Sequence, residues 1–159
     1  MQEESKVSNS NFKHLSVLTN ELIGFISQSP RNESKVSWMV DATLGGGGHS
    51  ALVLKHFPEI NIIGIDQDPM AIKAASEKLK GFGERVQIKH RNFRDFNPLE
   101  KVSIVFADLG VNSAQLDQAS RGFSFQYDGP LDMRMNPSNG IKASELIEKL
   151  NENDLANII

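Results

Sequence analysis

Apolar residues fall along this chain in blocks of two alternating kinds. Val17, Leu18, Leu22, Phe25 and Ile26 follow helical spacing and predict an amphipathic helix, with Ser16 or Thr19 as its cap. Val36, Trp38, Met39 and Val40 form a short run that predicts a strand stopping at Asp41. Helical spacing returns with Ala51, Leu52, Leu54 and Phe57 and ends near Phe57-Pro58. Asn61–Asp66 predicts a second strand. After it, Asp68 as cap and Pro69 at the first helical position open a helix that turns Ile72, Ala75 and Leu79 inward and ends at Gly81. Arg85–Lys89 and the apolar Val102–Asp108 predict two further strands. Strands separated by helices imply a parallel sheet with both faces covered, an α/β fold of Rossmann-like type. Three of these four strands end in aspartate, at the edge where open α/β sheets bind their ligands.

The texture changes at Leu109. Residues 109–141 show little periodicity beyond a short turn near Ala114–Gln118, and long irregular stretches in compact proteins are functional or disordered. Phe123, Phe125, Tyr127, Leu131, Met133 and Met135 give this one surface to bury, which argues against disorder. Asp132 and Arg134 among them suit hydrogen bonds or an internal ion pair shaping the loop. Lys142–Leu150 predicts a short helix with Ala143, Leu146, Ile147 and Leu150 on one face. Asn151 or Asn153 then caps a new helical period, Leu155, Ile158 and Ile159, and the sequence stops without a C-cap. It reads as a chain cut inside its architecture. Residues 1–13 are polar and without periodicity, a disordered tail, and Ser27–Ser37 is a polar connection broken by Pro30.

Asp41–Ser50, DATLGGGGHS, carries the chemistry. A strand that stops at an acid, turns through glycines and enters a helix brings backbone N–H groups close to a ligand. No Lys-Ser/Thr closes the run, so it is not a P-loop. Gly46-x-Gly48-x-x-Ala51 fits the loose dinucleotide fingerprint. Asp66, ending the second strand, stands where such folds meet an adenosine ribose, which NAD and S-adenosylmethionine (SAM) share. Asp41 leans toward SAM, because a carboxylate there repels a pyrophosphate and suits an ammonium and a sulfonium; otherwise it caps the turn. The loop after the third strand borders the adenine, with Phe93 favoured for the ligand and Phe96 for packing. Asp66-x-Asp68 is better explained by ribose and cap than by a metal.

Length and composition narrow the class. With 159 residues the chain suits one domain, or one domain and part of another. The absence of cysteine excludes disulfides, thiolate metal sites and thiol nucleophiles. The polar N-terminus resembles neither a signal peptide nor an anchor, and no stretch approaches a membrane span, so a cytoplasmic protein is expected. A net charge of −3 argues against a general nucleic-acid coat. Lys80, Arg85, Lys89, His90, Arg91, Arg94 and Lys101 form one basic stretch, which Glu84, Asp95 and Glu100 dilute; it is a local patch or a solvated face.

HLSVLTNEL, VDATLGGGGHS, IIGIDQDPMAI, HRNF, ADLGVNSAQLD, RGFSF and DGPLDMRM occur together in this order. Through them the chain, from His14 to its last residue, resembles the MraW-type methyltransferases, bacterial enzymes that methylate a cytosine N4 in 16S ribosomal RNA. The resemblance implies a Rossmann-like class I SAM-dependent methyltransferase fold over 14–111, its sheet incomplete, and over 112–159 the start of an inserted helical substrate-recognition domain. It implies a SAM site on Gly47, Gly48, His49, Asp66, Phe93, Asp108 and Gln115. The partner implied is 16S rRNA in the small ribosomal subunit; separately, a sheet cut after its fourth strand leaves an apolar edge open that invites association, a homodimer included. Asn112 and Ala114 depart from the family's usual Ser and Pro. Family members are about twice as long, and residues 112–159 hold seven acids against four Arg or Lys, so the RNA surface is not evident here. Methyl transfer is then a direct displacement by a cytosine amine, with Asp108 as candidate catalytic residue or as partner of the SAM amino group. The competing readings are a truncated, inactive SAM-binding module and an NAD-dependent oxidoreductase resting on the glycines alone.

Overall fold

The structure, a computed structural model, describes residues 17–30, 36–98 and 101–158. Four parallel strands, β1 (Ser37–Asp41), β2 (Ile60–Asp66), β3 (Val86–His90) and β4 (Ile104–Phe106), form one sheet in the order β3-β2-β1-β4. Because all run the same way, Asp41, Asp66, His90 and Phe106 end at one edge. The order reverses between β1 and β4, which opens a crevice there.

Helices α1 (Thr19–Gln28), α2 (Gly48–His56) and α3 (Pro69–Leu79) cover one face. Leu22 and Ile26, one helical turn apart, seat α1; Val53, Leu54, Ala75 and Leu79 join Met39, Ile60 and Ile62 in the main core. Asp68 caps α3, its side chain accepting from the Met70 N–H at 2.9 Å, with Pro69 in the first turn. Arg85 donates to the carbonyls of Leu54, Phe57 and Ile60, stitching the end of α2 to β2. Its guanidinium is therefore spent inside the fold and does not belong to a basic surface patch.

Several expectations need correction. Thr19 is the first residue of α1 and not its cap, which is Leu18 in a left-handed conformation (φ 52°) with no side-chain cap bond. Ser16 and the tail over 1–13 lie outside the described residues. Phe25 is exposed, since the Leu22–Ile26 stripe already faces inward, and Ala71 rather than Ile72 is fully buried on α3. The fourth strand has three ladder residues, not seven, and Val105 is 68 % exposed. Among the described residues only a small cluster of Val40, Ala42 and Ile65, with Ile63, Phe96 and Val102, occupies the second face, so the sheet is covered fully on one side.

The stretch after β4 is irregular but folded. Asn112 and Gln115 make a reciprocal capping box on α4 (Ser113–Asp117). Gly122 lies in the left-handed region (φ 76°), where a Cβ would run into the Pro130 carbonyl. Met133 N–H donates to Arg121, and Asp132 receives Arg134 in a two-pronged ion pair at 2.7 and 2.8 Å, which holds the Asp132 carboxyl down to about 2. Asp132 and Leu131 carbonyls then seat the start of α5 (Ala143–Lys149). Its expected apolar face is half-buried at best, with Ile147 exposed. Asn151 accepts from the Asp154 N–H to begin α6 (Glu152–Ile158).

Gly64, inside β2, faces the Leu44 side chain of the glycine turn; a Cβ there would stand 2.6 Å from Leu44 Cδ1. Gly64→Ala should therefore cost about 1–3 kcal/mol of stability, as overpacking of a filled core does, read by urea unfolding. An unchanged midpoint would show that the turn does not bear on β2.

Candidate functional site

The crevice between β1 and β4 holds a cavity of about 290 Å³. Its floor is the turn after β1. Leu44 N–H donates to Ile65 O at 2.9 Å, and Gly45 N–H to Asp66 Oδ2 at 2.8 Å, so the turn is bonded to the end of β2. Gly47 then closes onto Leu44 O at 2.8 Å and caps α2 with φ 77°, leaving the first N–H groups of that helix beside the cavity.

Asp66 is the best-oriented acid here. Oδ1 accepts from Asp68 N–H at 2.9 Å and Oδ2 from Gly45 N–H, which locks the plane of the carboxylate and leaves a lone pair on each oxygen for a ligand. Burial raises its pKa against these bonds. Asp108 stands two residues beyond β4 on the opposite wall, exposed, with its N–H donating to Thr43 Oγ1 at 2.7 Å. That bond ties the β4 end to the same turn. Phe93 lies half exposed on the wall after β3, whereas Phe96 packs in the second-face cluster.

His49 lines the cavity from the first turn of α2, its Nε2 bonded to the Val17 carbonyl at 2.8 Å and its ring edge-on to Phe106. Gln115 also lines it, but both ends of its amide are engaged, by Asn112 N–H and by Asp68 Oδ2. Gly48, His49, Asp66, Phe93, Asp108 and Gln115 thus meet in one cavity. Gly47 is the exception: it is buried against α3, where a Cβ would sit 3.1 Å from Leu79, so its part is to let α2 and α3 close up.

Asp41, too, stands off the cavity. It is fully buried, accepting from Ser50 Oγ at 2.7 Å and Thr43 N–H at 3.2 Å, and it holds the turn from beneath. The capping alternative is the one the structure supports. Burial pushes its carboxyl up to about 6. Thr43, Gln67, Arg91, Asn92 and Met135 line the cavity unforeseen. Gln67, Arg91 and Asn92 directly follow strand ends, a positional signal that sequence carries; Met135 gave none.

A family model described as the MraW methylase family matches residues 11–159. The chain belongs to the MraW methylase family. It is 56 % identical over all 159 residues to a Prochlorococcus marinus (strain MIT 9211) protein named ribosomal RNA small subunit methyltransferase H, covering 52 % of it. The protein of the same name from strain NATL2A is 54 % identical with the same coverage. The chain therefore spans about half the length of the curated relatives it matches. A solved Galdieria sulphuraria structure, provisionally described as a sarcosine dimethylglycine methyltransferase, matches at TM-score 0.50 and 17 % identity, over 68 % of this chain and 40 % of that one. The parallel sheet is thus that of the Rossmann-like class I methyltransferases.

The methyl donor of this methylase family is S-adenosyl-L-methionine. The cavity fits it on its own chemistry. Two carboxylates, Asp66 and Asp108, face a space with one arginine, Arg91. That balance suits a cofactor bearing a sulfonium and an ammonium, and it disfavours the pyrophosphate of a dinucleotide.

Asp41 makes a pH prediction. Its folded-state pKa lies above the unfolded value, so the native chain binds the extra proton between about pH 4 and pH 6. Stability from this group therefore rises on acidification through about pH 6 and is lost again as pH increases, by on the order of 3 kcal/mol at most. Asp41→Asn should flatten that segment of the stability–pH curve measured by urea unfolding; an identical curve would place the proton elsewhere.

Proposed function

We propose that this chain is the cofactor-binding half of an enzyme that methylates the N4 of a cytosine in 16S rRNA of the small ribosomal subunit. The observation that carries the reading is the single cavity in which the glycine turn, Asp66 and Asp108 converge at the reversal of strand order. The names of the relatives, ribosomal RNA small subunit methyltransferase H, support the substrate class. In this reading residues from 112 onward are the start of the substrate module, and Asp108–Asn112, which lines the cavity, leads into it.

The bound cofactor supplies an electrophilic methyl group on sulfur. In this reading Asp66 accepts the ribose hydroxyls with the lone pairs that Gly45 and Asp68 leave free. Phe93 and the first turn of α2 line the same cavity, where Phe93 would hold the adenine by stacking and the helix start would hold the amino-acid end. Asp108 would accept a hydrogen bond and finally the proton from the amine N–H, returning to nitrogen the electron density that the pyrimidine ring withdraws, while the electron pair of the broken sulfur–methyl bond stays on sulfur. The target base leaves its stack to reach the cavity, and the walls hold it in line. No helix of the described residues is long and apolar enough to cross a membrane.

A SAM-binding module without turnover is the second reading. The exposed outer side of β4 favours it, since the sheet has no further strand beyond β4 among the described residues. The expected homodimer would use the same edge, and sedimentation across concentrations reads it.

Methyl transfer from labelled SAM to unmethylated small subunits, paired with calorimetry, separates these readings. Asp108→Ala should lower turnover at saturating SAM by about a hundredfold or more, as loss of a proton acceptor does, with a smaller loss of cofactor affinity. Weakened affinity with full turnover at saturation would assign Asp108 to the cofactor amino group instead. Binding without turnover in the parent chain would leave the module reading.

A further inference from the structure

Asp68 does more than cap a helix. Its carboxylate is 2 % exposed and gathers three partners: Met70 N–H on Oδ1 at 2.9 Å, and on Oδ2 both Gln115 Nε2 at 2.9 Å and Arg121 Nη1 at 2.8 Å. Arg121 is itself buried, and its Nη2 reaches on to the carbonyls of Arg134 and Met135 at 3.1 and 2.8 Å. Gln115 Nε2 also touches Met135 Sδ at 3.1 Å. Gln115 and Met135 are both cavity wall. One buried charge pair thus runs from the start of α3, two residues after the Asp66 carboxylate, through the segment after β4 and back to the cavity. Among the described residues it is the buried ion pair that joins the two halves of the chain.

We infer that Asp68 and Arg121 are positioning residues: their ion pair holds Gln115 and Met135 against the cofactor cavity and so sets the affinity of that cavity. The inference rests on the SAM reading of the cavity. Glycine geometry at the other end supports it, because Gly122, next to Arg121, and Gly129 admit no Cβ without a backbone collision. The backbone crosses itself closely at both glycines, and Arg121 is the side chain that turns from this loop into the core. A buried carboxylate facing a buried guanidinium is costly to leave half-made, which keeps the pair from opening while the sheet is folded.

The test compares the parent chain with Asp68→Asn, Arg121→Met and Arg121→Lys, by calorimetry with SAM and by amide hydrogen exchange. Asn retains the cap on α3 but gives up the charge, and Met fills the volume of Arg without its donors. Each of these two should weaken SAM binding at least tenfold and speed exchange over residues 119–135, while β1 and β2 keep parental protection. Arg121→Lys keeps the charge and should recover part of the affinity. A merely structural pair would instead lower protection in the sheet and the loop together, which overturns the inference. So would variants that bind SAM as the parent does. If the parent itself binds no SAM, the cofactor reading fails first, and that result is distinguishable because it does not involve the variants.

Discussion

One hydrogen bond organises the cofactor edge of this molecule: Gly45 N–H to Asp66 Oδ2, at 2.8 Å. It joins the turn after β1 to the end of β2 across 21 residues, through an acid that lines the cavity. The neighbouring Leu44–Ile65 backbone bond and the Leu44 side chain seated on Gly64 fix the same junction. From there Thr43 reaches across to Asp108 and ties in β4. Asp41 and Ser50 brace the turn from below, at the expense of a carboxylate held in the core. The cavity is therefore preorganised by contacts within the protein, and little of its shape waits for a ligand.

The two faces of the sheet are unequal. On one, α1–α3 bury a continuous core of Leu, Ile, Val and Met. On the other, the described residues supply three buried side chains, and Val105 of β4 looks outward. A parallel sheet is normally covered on both sides, so this face and the β4 edge are apolar surface without a described partner. The chain spans about half the length of the curated relatives it matches.

What the sequence made legible was the sheet and its ligand edge. Strand-helix alternation, the Asp68-Pro69 helix start and the acids at strand ends are local signals; the structure carries the helix start, Asp41 and Asp66 where the pattern put them, while Asp108 falls two residues past β4. Asp41 was only half legible: a buried and a ligand-facing acid look alike until Ser50 is seen beside it. The Asp68–Arg121 pair was illegible, since its partners lie 53 positions apart and Asp68 already had a sufficient local role as a cap. The stretch 109–141 resisted for a related reason. Its order comes from glycine-permitted crossings and carbonyl contacts, as at Gly122 and Arg121, which leave no periodic trace.

The most direct test of the account is a crystal structure of this chain with S-adenosylhomocysteine, the demethylated cofactor. The ribose hydroxyls should lie within about 3 Å of the Asp66 carboxylate, a hydrogen-bond distance, with the Gly45–Asp66 bond still made. A ligand bound elsewhere, or an Asp66 that abandons Gly45 to hold it, would contradict the claim that this cavity is built in advance for that cofactor.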